Sequence, residues 1–143
     1  MIFFNKKPSI LLVWLNTLIR KVYTFFEKIR WQSYYISINH RFKKFGKSVV
    51  IDYGVQFGGP ENISIGNNVF IGKNAMINAG KGGSIVIDDG AAIGANTTII
   101  TWNLDNLSNQ GLTRSVNKNP FKRVFIGKVV GVGYNVTINP GVV

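Results

Sequence analysis

The sequence predicts an all-β solenoid of about four coils, preceded by an N-terminal amphipathic helix. Two observations lead to this fold class. First, nine isoleucine or valine residues recur at steps of six, in three triplets: Ile65, Ile71, Ile77; Ile87, Ile93, Ile99; Ile126, Val132, Ile138. A looser triplet precedes them: Phe45, Ile51, Phe57. Second, the steps between triplets are 8, 10 and 27 residues, which exceed the repeat by 2, 4 and 21.

These interruptions always fall after the third hexad of a triplet. Because three hexads make one turn of a triangular solenoid, all the extra segments are expected to leave at one corner. Insertions gathered on one side of a repeat array are typical of a functional surface. The longest, predicted as a loop over residues 105–125, is polar in composition, with four Asn and two Ser.

The first element, within a basic arm predicted over residues 1–44, is an amphipathic helix that Ser9 can cap. Apolar residues at helical spacing form its stripe: Leu11, Leu15, Leu18, Val22, Phe25, Ile29, widened by Leu12, Ile19 and Phe26. Residues 1–48 hold ten Lys or Arg against Glu27 alone. No unbroken apolar run is long enough to cross a bilayer, and no cleavage site of a signal peptide follows the arm.

Two roles for this helix stay open, and they are compatible. The stripe can pack on the first coil, where an open solenoid end would expose its core. Alternatively, residues 9–31 can make peripheral contact with an anionic membrane surface. Nucleic-acid binding is not expected, because no recognition motif accompanies the charge.

The solenoid itself is predicted over residues 45–143, in strands of three to four residues. Triplets such as Ile63–Ser64–Ile65 alternate inward, outward and inward. Stacked coils should then align the aliphatic residues in columns. Gly, Asn or Asp follows most of the repeated residues, which favours corners where positive φ is needed.

Composition excludes several chemistries. Without cysteine, the chain has no disulfide, thiolate metal site or cysteine nucleophile, which fits a reducing compartment. A single histidine, His40, excludes a three-histidine metal centre, and no metal-ligand spacing exists. We therefore predict no metal.

The runs at residues 65–72 (IGNNVFIG) and 126–142 (IGKVVGVGYNVTINPGV) resemble the hexapeptide-repeat acyltransferases, in particular the branch that O-acetylates sugars and bacterial surface polysaccharides. The resemblance covers about residues 41–143. It implies a left-handed parallel β-helix, a homotrimer, and acetyl-CoA bound in a groove between subunits. The chain is C-terminally short by comparison with this family, which suggests a truncated relative or a partner covering that end.

The family's general base is a histidine at the start of the long loop, in a Thr-x-Asn-His motif; it deprotonates the sugar hydroxyl. Here the motif reads Thr101-Trp102-Asn103-Leu104, so Leu104 occupies the histidine position and cannot take a proton. Weak substitute candidates are Asn103, Asp105 and His40. The resemblance places Gly131, Gly133 and Tyr134 beside the coenzyme, with Gly131 where a tryptophan is usual.

The predicted function is therefore a CoA-dependent acyltransferase, an O-acetyltransferase acting on a sugar of a bacterial surface polysaccharide, in the cytoplasm at the inner face of the membrane. The alternative is a catalytically inactive or truncated β-helix scaffold that has lost its base. Four basic residues would suit an anionic sugar or the coenzyme phosphates, although a solvated charged loop explains them equally well: Arg114, Lys118, Lys122, Arg123.

Overall fold

The computed structural model describes residues 9–80, 82–102 and 122–143. These residues form one α-helix, α1 (Ile10–Asn39), followed by short β-strands. The chain divides into two compact units, the first ending at Ile36 and the second running from Ser37 to Val143. Helix α1 is the only helix or strand described in the first unit, and every strand belongs to the second.

Twelve strands of two or three residues follow α1 among the described residues, with a short 3-10 helix at Pro60–Asn62. Six of them have three residues, within the predicted three to four, and the other six have two, because the corners take the remaining residues of each hexad. In chain order they are β1 (Lys44–Phe45), β2 (Val50–Ile51), β3 (Gln56–Gly58), β4 (Ile63–Ile65), β5 (Phe70–Ile71), β6 (Met76–Asn78), β7 (Ile85–Ile87), β8 (Ala92–Ile93), β9 (Thr98–Ile100), β10 (Val124–Ile126), β11 (Gly131–Val132) and β12 (Thr137–Ile138).

The strands build three parallel four-stranded sheets, ordered β1-β4-β7-β10, β2-β5-β8-β11 and β3-β6-β9-β12. The chain visits the sheets in turn, so each set of three successive strands is called a row: row 1 is β1–β3, row 2 is β4–β6, row 3 is β7–β9 and row 4 is β10–β12. The register confirms the predicted columns. Ile71 pairs with Ile51 below and Ile93 above, and Ile93 pairs with Val132.

The core of this unit is the set of inward isoleucines. Ile65, Ile71, Ile77, Ile87, Ile93 and Ile99 are fully buried, while the outward Phe70 and Met76 are exposed. This confirms the predicted alternation. Full burial of such a side chain contributes roughly 1.5–3 kcal/mol, and no single row can bury its face without its neighbours. Row 4 is more open, since Val132 is only half-buried.

The prediction that the residue directly after each repeated aliphatic needs positive φ is wrong. Positive φ occurs three residues after it, for example at Asn68, Asn74 and Asn96, each near 56°. In rows 1 to 3, the glycines directly after the aliphatic residues allow close packing against the next row instead. A Cβ on Gly72 would lie 2.7 Å from the backbone nitrogen of Ala95 in the next row.

Helix α1 begins as predicted. The backbone N–H of Leu12 donates to Ser9 Oγ at 3.4 Å, and the N–H of Val13 donates to the Ser9 carbonyl at 3.1 Å. The helix runs on to Asn39, well beyond the stripe that ends at Ile29. No helix in the described part of the chain combines the length and the apolar character that crossing a bilayer requires.

Candidate functional site

The extra segments leave the sheets at one corner, as the spacing predicts. Each lies between a strand of the third sheet and the next strand of the first sheet: after β3, after β6 and after β9. We call this the insertion corner. The long excursion leaves after Trp102 and returns at Lys122, and residues 103–121 lie outside the described residues. Because β10 begins at Val124, two residues of the predicted 105–125 loop belong to a strand.

The two ends of the long excursion are joined at Thr101. The backbone N–H of Lys122 donates to the Thr101 carbonyl at 2.8 Å, and the N–H of Thr101 donates to the Asn78 carbonyl at 3.3 Å. The Thr101 side chain is fully buried, and its Oγ1 accepts the Gly80 N–H at 2.9 Å. This threonine therefore ties the long excursion to the shorter one in the row below.

Exposed basic side chains stand where the excursion returns. The Arg123 guanidinium lies 5.2 Å from the ring centroid of Phe125, a cation–π contact. A Cβ on Gly141 would lie 3.1 Å from Lys122 Cδ, so the Lys122 stem runs alongside this glycine. The N–H of Phe125 donates to the Val142 carbonyl at 3.0 Å. Two cations therefore stand beside the base of the excursion, where a phosphate or carboxylate can be bound.

The predicted coenzyme residues fall in row 4. Gly131 lies in β11, and a Cβ built on it meets nothing within 4 Å. Gly133 and Tyr134 form the next corner, where Tyr134 is 76% exposed. All three thus lie on an open surface. The described residues supply no second wall for a groove there.

The predicted catalytic candidates are not brought together. Asn103, Leu104 and Asp105 lie outside the described residues. His40 is exposed and follows α1 directly, before row 1. Trp102, the last described residue before the excursion, follows row 3. Row 3 lies two strand spacings from row 1 along the stack, which is about 10 Å at the usual separation. Within the described ranges no cluster of three His, Cys, Asp or Glu side chains is positioned to bind a metal ion.

One polar column was missed by the sequence analysis. It follows the first corner of successive rows through Lys47, Asn67, Asp89 and Lys128. The N–H of Lys47 donates to Asn67 Oδ1 at 2.9 Å, and the N–H of Asn67 donates to Asp89 Oδ1 at 2.7 Å. The signal in the sequence is the second residue after each repeated apolar residue of the first sheet, at Phe45, Ile65, Ile87 and Ile126, which is polar or charged every time.

The electrostatics of this column favour an ionised Asp89. Its pKa is lowered, mainly because the Asn67 backbone N–H donates to the carboxylate, and further by the positive charges of Lys128 and Lys44. Partial removal of the carboxylate from water opposes these effects. Asp89 therefore acts as a fixed acceptor that joins rows, and it is a poor candidate for a general base.

Comparison of the chain with protein-family models, with curated proteins and with solved structures gives no match. The resemblance to hexapeptide-repeat acyltransferases therefore depends on the residues quoted above.

Proposed function

We propose that this chain is a CoA-dependent acyltransferase of the hexapeptide-repeat class, folded as a left-handed parallel β-helix of four coils. The observation that carries the proposal is the insertion corner. Three in-register sheets place every extra segment on one side, and Thr101 fixes the base of the longest one. This is where enzymes of the class build their active site.

The proposed reaction is transfer of an acetyl group to a sugar hydroxyl. The hydroxyl oxygen bonds to the thioester carbonyl carbon of acetyl-CoA, the carbon–sulfur bond breaks, and the hydroxyl proton ends on the departing thiolate. We propose a homotrimer in which a neighbouring subunit supplies the second wall of the coenzyme groove beside Gly131, Gly133 and Tyr134. Lys122 and Arg123 would bind the coenzyme phosphates or an anionic sugar. The proposed setting is the cytoplasm at the inner face of the membrane, on a sugar of a surface polysaccharide.

A second candidate is favoured by Leu104. A leucine in the histidine position removes the usual base, and His40 is the only histidine in the sequence. On this hypothesis the chain is a trimeric scaffold that keeps the fold without turnover. The two candidates differ in a single measurable property, which is catalysis.

The deciding experiment measures thiol release and acetylated product with purified protein, acetyl-CoA and a panel of sugars. An enzyme should turn over, and losing its base should lower kcat about 100-fold or more. The substitutions His40→Ala, Asn103→Ala and Asp105→Ala assign that base. Full activity in all three variants would eliminate these candidates. An inactive parent that gains turnover through Leu104→His supports the scaffold.

Coenzyme binding can be tested separately from catalysis. A Cβ built on Gly131 meets nothing within 4 Å, so we choose Gly131→Trp, which introduces the aromatic residue usual in the family. We expect it to lower the Kd for CoA, and Tyr134→Ala to raise it, by isothermal titration calorimetry. If neither substitution changes the affinity, the coenzyme does not bind along this edge of row 4.

A further inference from the structure

Helix α1 carries an apolar surface that its own unit does not cover. Thirteen large hydrophobic side chains between Ile10 and Ile29 are each at least 43% exposed, and Ile38 is the only buried residue in the helix. No other helix or strand is described in the unit that ends at Ile36. A contiguous apolar patch of this size marks an interaction surface.

Most of these apolar side chains gather on one side of α1, with Val13 on the opposite side. At about 100° per residue, the line through Leu11, Leu18 and Phe25 forms the centre of a face that spans about half the helix circumference. The opposite face carries Thr17 and Thr24, whose hydroxyls donate to the Val13 and Arg20 carbonyls, both at 2.8 Å. These threonines satisfy their hydrogen bonds within the helix and present little apolar surface.

The polar face of α1 is cationic. Its one acidic residue, Glu27, pairs with Arg30 at 2.7 Å and is thereby neutralised. Among the described residues, none forms a salt bridge with Arg20, Lys21 or Lys28. Lys21 and Lys28 border the apolar face and Arg20 lies opposite it, and all three belong to the excess of nine positive charges in residues 1–48. The complementary surface is therefore negative as well as apolar.

Exposed aromatic residues border this surface and also stand on the polar face. Trp14 and Tyr23 are 71% and 66% exposed. On the polar face, one heptad beyond Thr24, Trp31 stacks with Tyr35 at 6.0 Å between ring centroids, and the Arg30 guanidinium lies 5.1 Å from the Trp31 ring. Trp and Tyr side chains prefer the polar–apolar boundary of a bilayer, where the ring is buried and its N–H or O–H stays hydrated.

We propose that α1 lies in the surface of an anionic lipid bilayer, with the face from Ile10 to Ile29 inserted among the acyl chains and Arg20, Lys21 and Lys28 at the headgroups. A helix with a wide apolar face, a cationic polar face and exposed aromatic residues has the composition of an interfacial helix. The proposal does not depend on acyl transfer, since it concerns the helix alone.

The test is co-sedimentation of the full chain with vesicles of neutral phosphatidylcholine, and with vesicles in which about a third of the lipid is phosphatidylglycerol. We expect at least tenfold stronger binding to the anionic vesicles, weakened by salt because surface charge is screened. Leu18→Glu should lower that binding at least tenfold. The matched variant Thr17→Glu adds the same charge on the polar face and should lower it less than threefold.

Three results would overturn the proposal. Equal loss in the two variants would mean that charge alone attracts the chain. Equal binding to neutral and anionic vesicles would exclude headgroup recognition. No binding to either vesicle, with an oligomer that Leu18→Glu dissociates in sedimentation velocity, would assign the face to a second copy of the chain. Circular dichroism of each variant establishes that the helix is retained.

Discussion

Glycine has two separate uses at the corners of this protein. At a few positions it supplies positive φ, as Gly90 does at 72°. Directly after a repeated aliphatic residue it makes room for the next row: a Cβ on Gly94 would collide with the carbonyl oxygen of Gly133 and lie 2.9 Å from the Tyr134 nitrogen. Backbone atoms of a hydrogen-bonded neighbour cannot move aside cheaply, so this glycine is a packing requirement.

Gly94→Ala should therefore destabilise the protein by about 1–3 kcal/mol, the usual cost of overpacking. Gly133→Ala is the matched control from the same column one row further on. Its Cβ would meet only Val136 Cγ2, at an ordinary 3.8 Å. Urea unfolding of both variants checks the difference, and equal destabilisation would contradict the packing argument.

Ionisation of Asp89 should make the free energy of unfolding depend on pH. Because the folded state lowers its pKa, the stabilisation is present above the ordinary carboxyl value and is lost as the pH falls through the folded value. The wild type should lose stability below pH about 4, and Asp89→Asn should lose less. Urea midpoints between pH 3 and 6 measure this. A carboxyl that titrates above its ordinary value by NMR would refute it.

Among the structural elements, the base of the long excursion shows how a buried side chain positions a loop. Thr101 Oγ1 accepts the Gly80 N–H, while its backbone carbonyl accepts the N–H of Lys122. A Cβ on Gly83 would lie 2.5 Å from Thr101 Cβ, so the shorter excursion packs directly on the threonine. Thr101 therefore connects the two segments through hydrogen bonds and packing.

Thr101→Val keeps the shape of this side chain and removes the acceptor. We expect a loss of about 1 kcal/mol, the net contribution of one hydrogen bond, and faster hydrogen exchange at the Gly80 amide. Thr98→Val is the control, because Thr98 points outward from β9. Unchanged exchange at Gly80 in Thr101→Val would show that the hydroxyl does not hold this segment.

At the scale of the whole molecule, rows differ in how completely they are covered. The strands of rows 2 and 3 have hydrogen-bonded neighbours on both sides, whereas each strand of rows 1 and 4 has one in its sheet. Two valines at the same position of the hexad differ in exposure: Val69 in row 2 is 1% exposed and Val130 in row 4 is 40% exposed. Stability should accordingly be greatest in the middle rows.

Val69→Ala and Val130→Ala make the same chemical change at equivalent positions. The first should cost about 2 kcal/mol, because it removes two buried methyl groups and leaves a cavity. The second should cost less than about 1 kcal/mol, as exposed positions usually do. Thermal unfolding compares them, and a larger loss for Val130→Ala would contradict the burial difference.

Much of the fold was predictable from spacing. Steps of six gave the columns that the register confirms, such as Ile51, Ile71, Ile93 and Val132. The extra residues after Phe57, Ile77 and Ile99 gave the insertion corner. The site was less predictable, because the residues nearest to it make contacts between rows. Which residues make such contacts depends on which corner positions become adjacent when the rows stack.

The sequence by itself determined the strand columns and the corner from which the excursions leave, because a period of six fixes which side chains face inward. It also gave the N-terminus of α1 through Ser9. Only the tertiary structure decided where positive φ falls, why Gly94 must lack a side chain, and how Asn67 and Asp89 join successive rows. The last two features depend on contacts between residues about twenty positions apart or more: backbone against backbone at Gly94, and a side-chain oxygen with a backbone N–H at Asp89. Hydrophobic spacing along the chain does not show which atoms meet in these contacts.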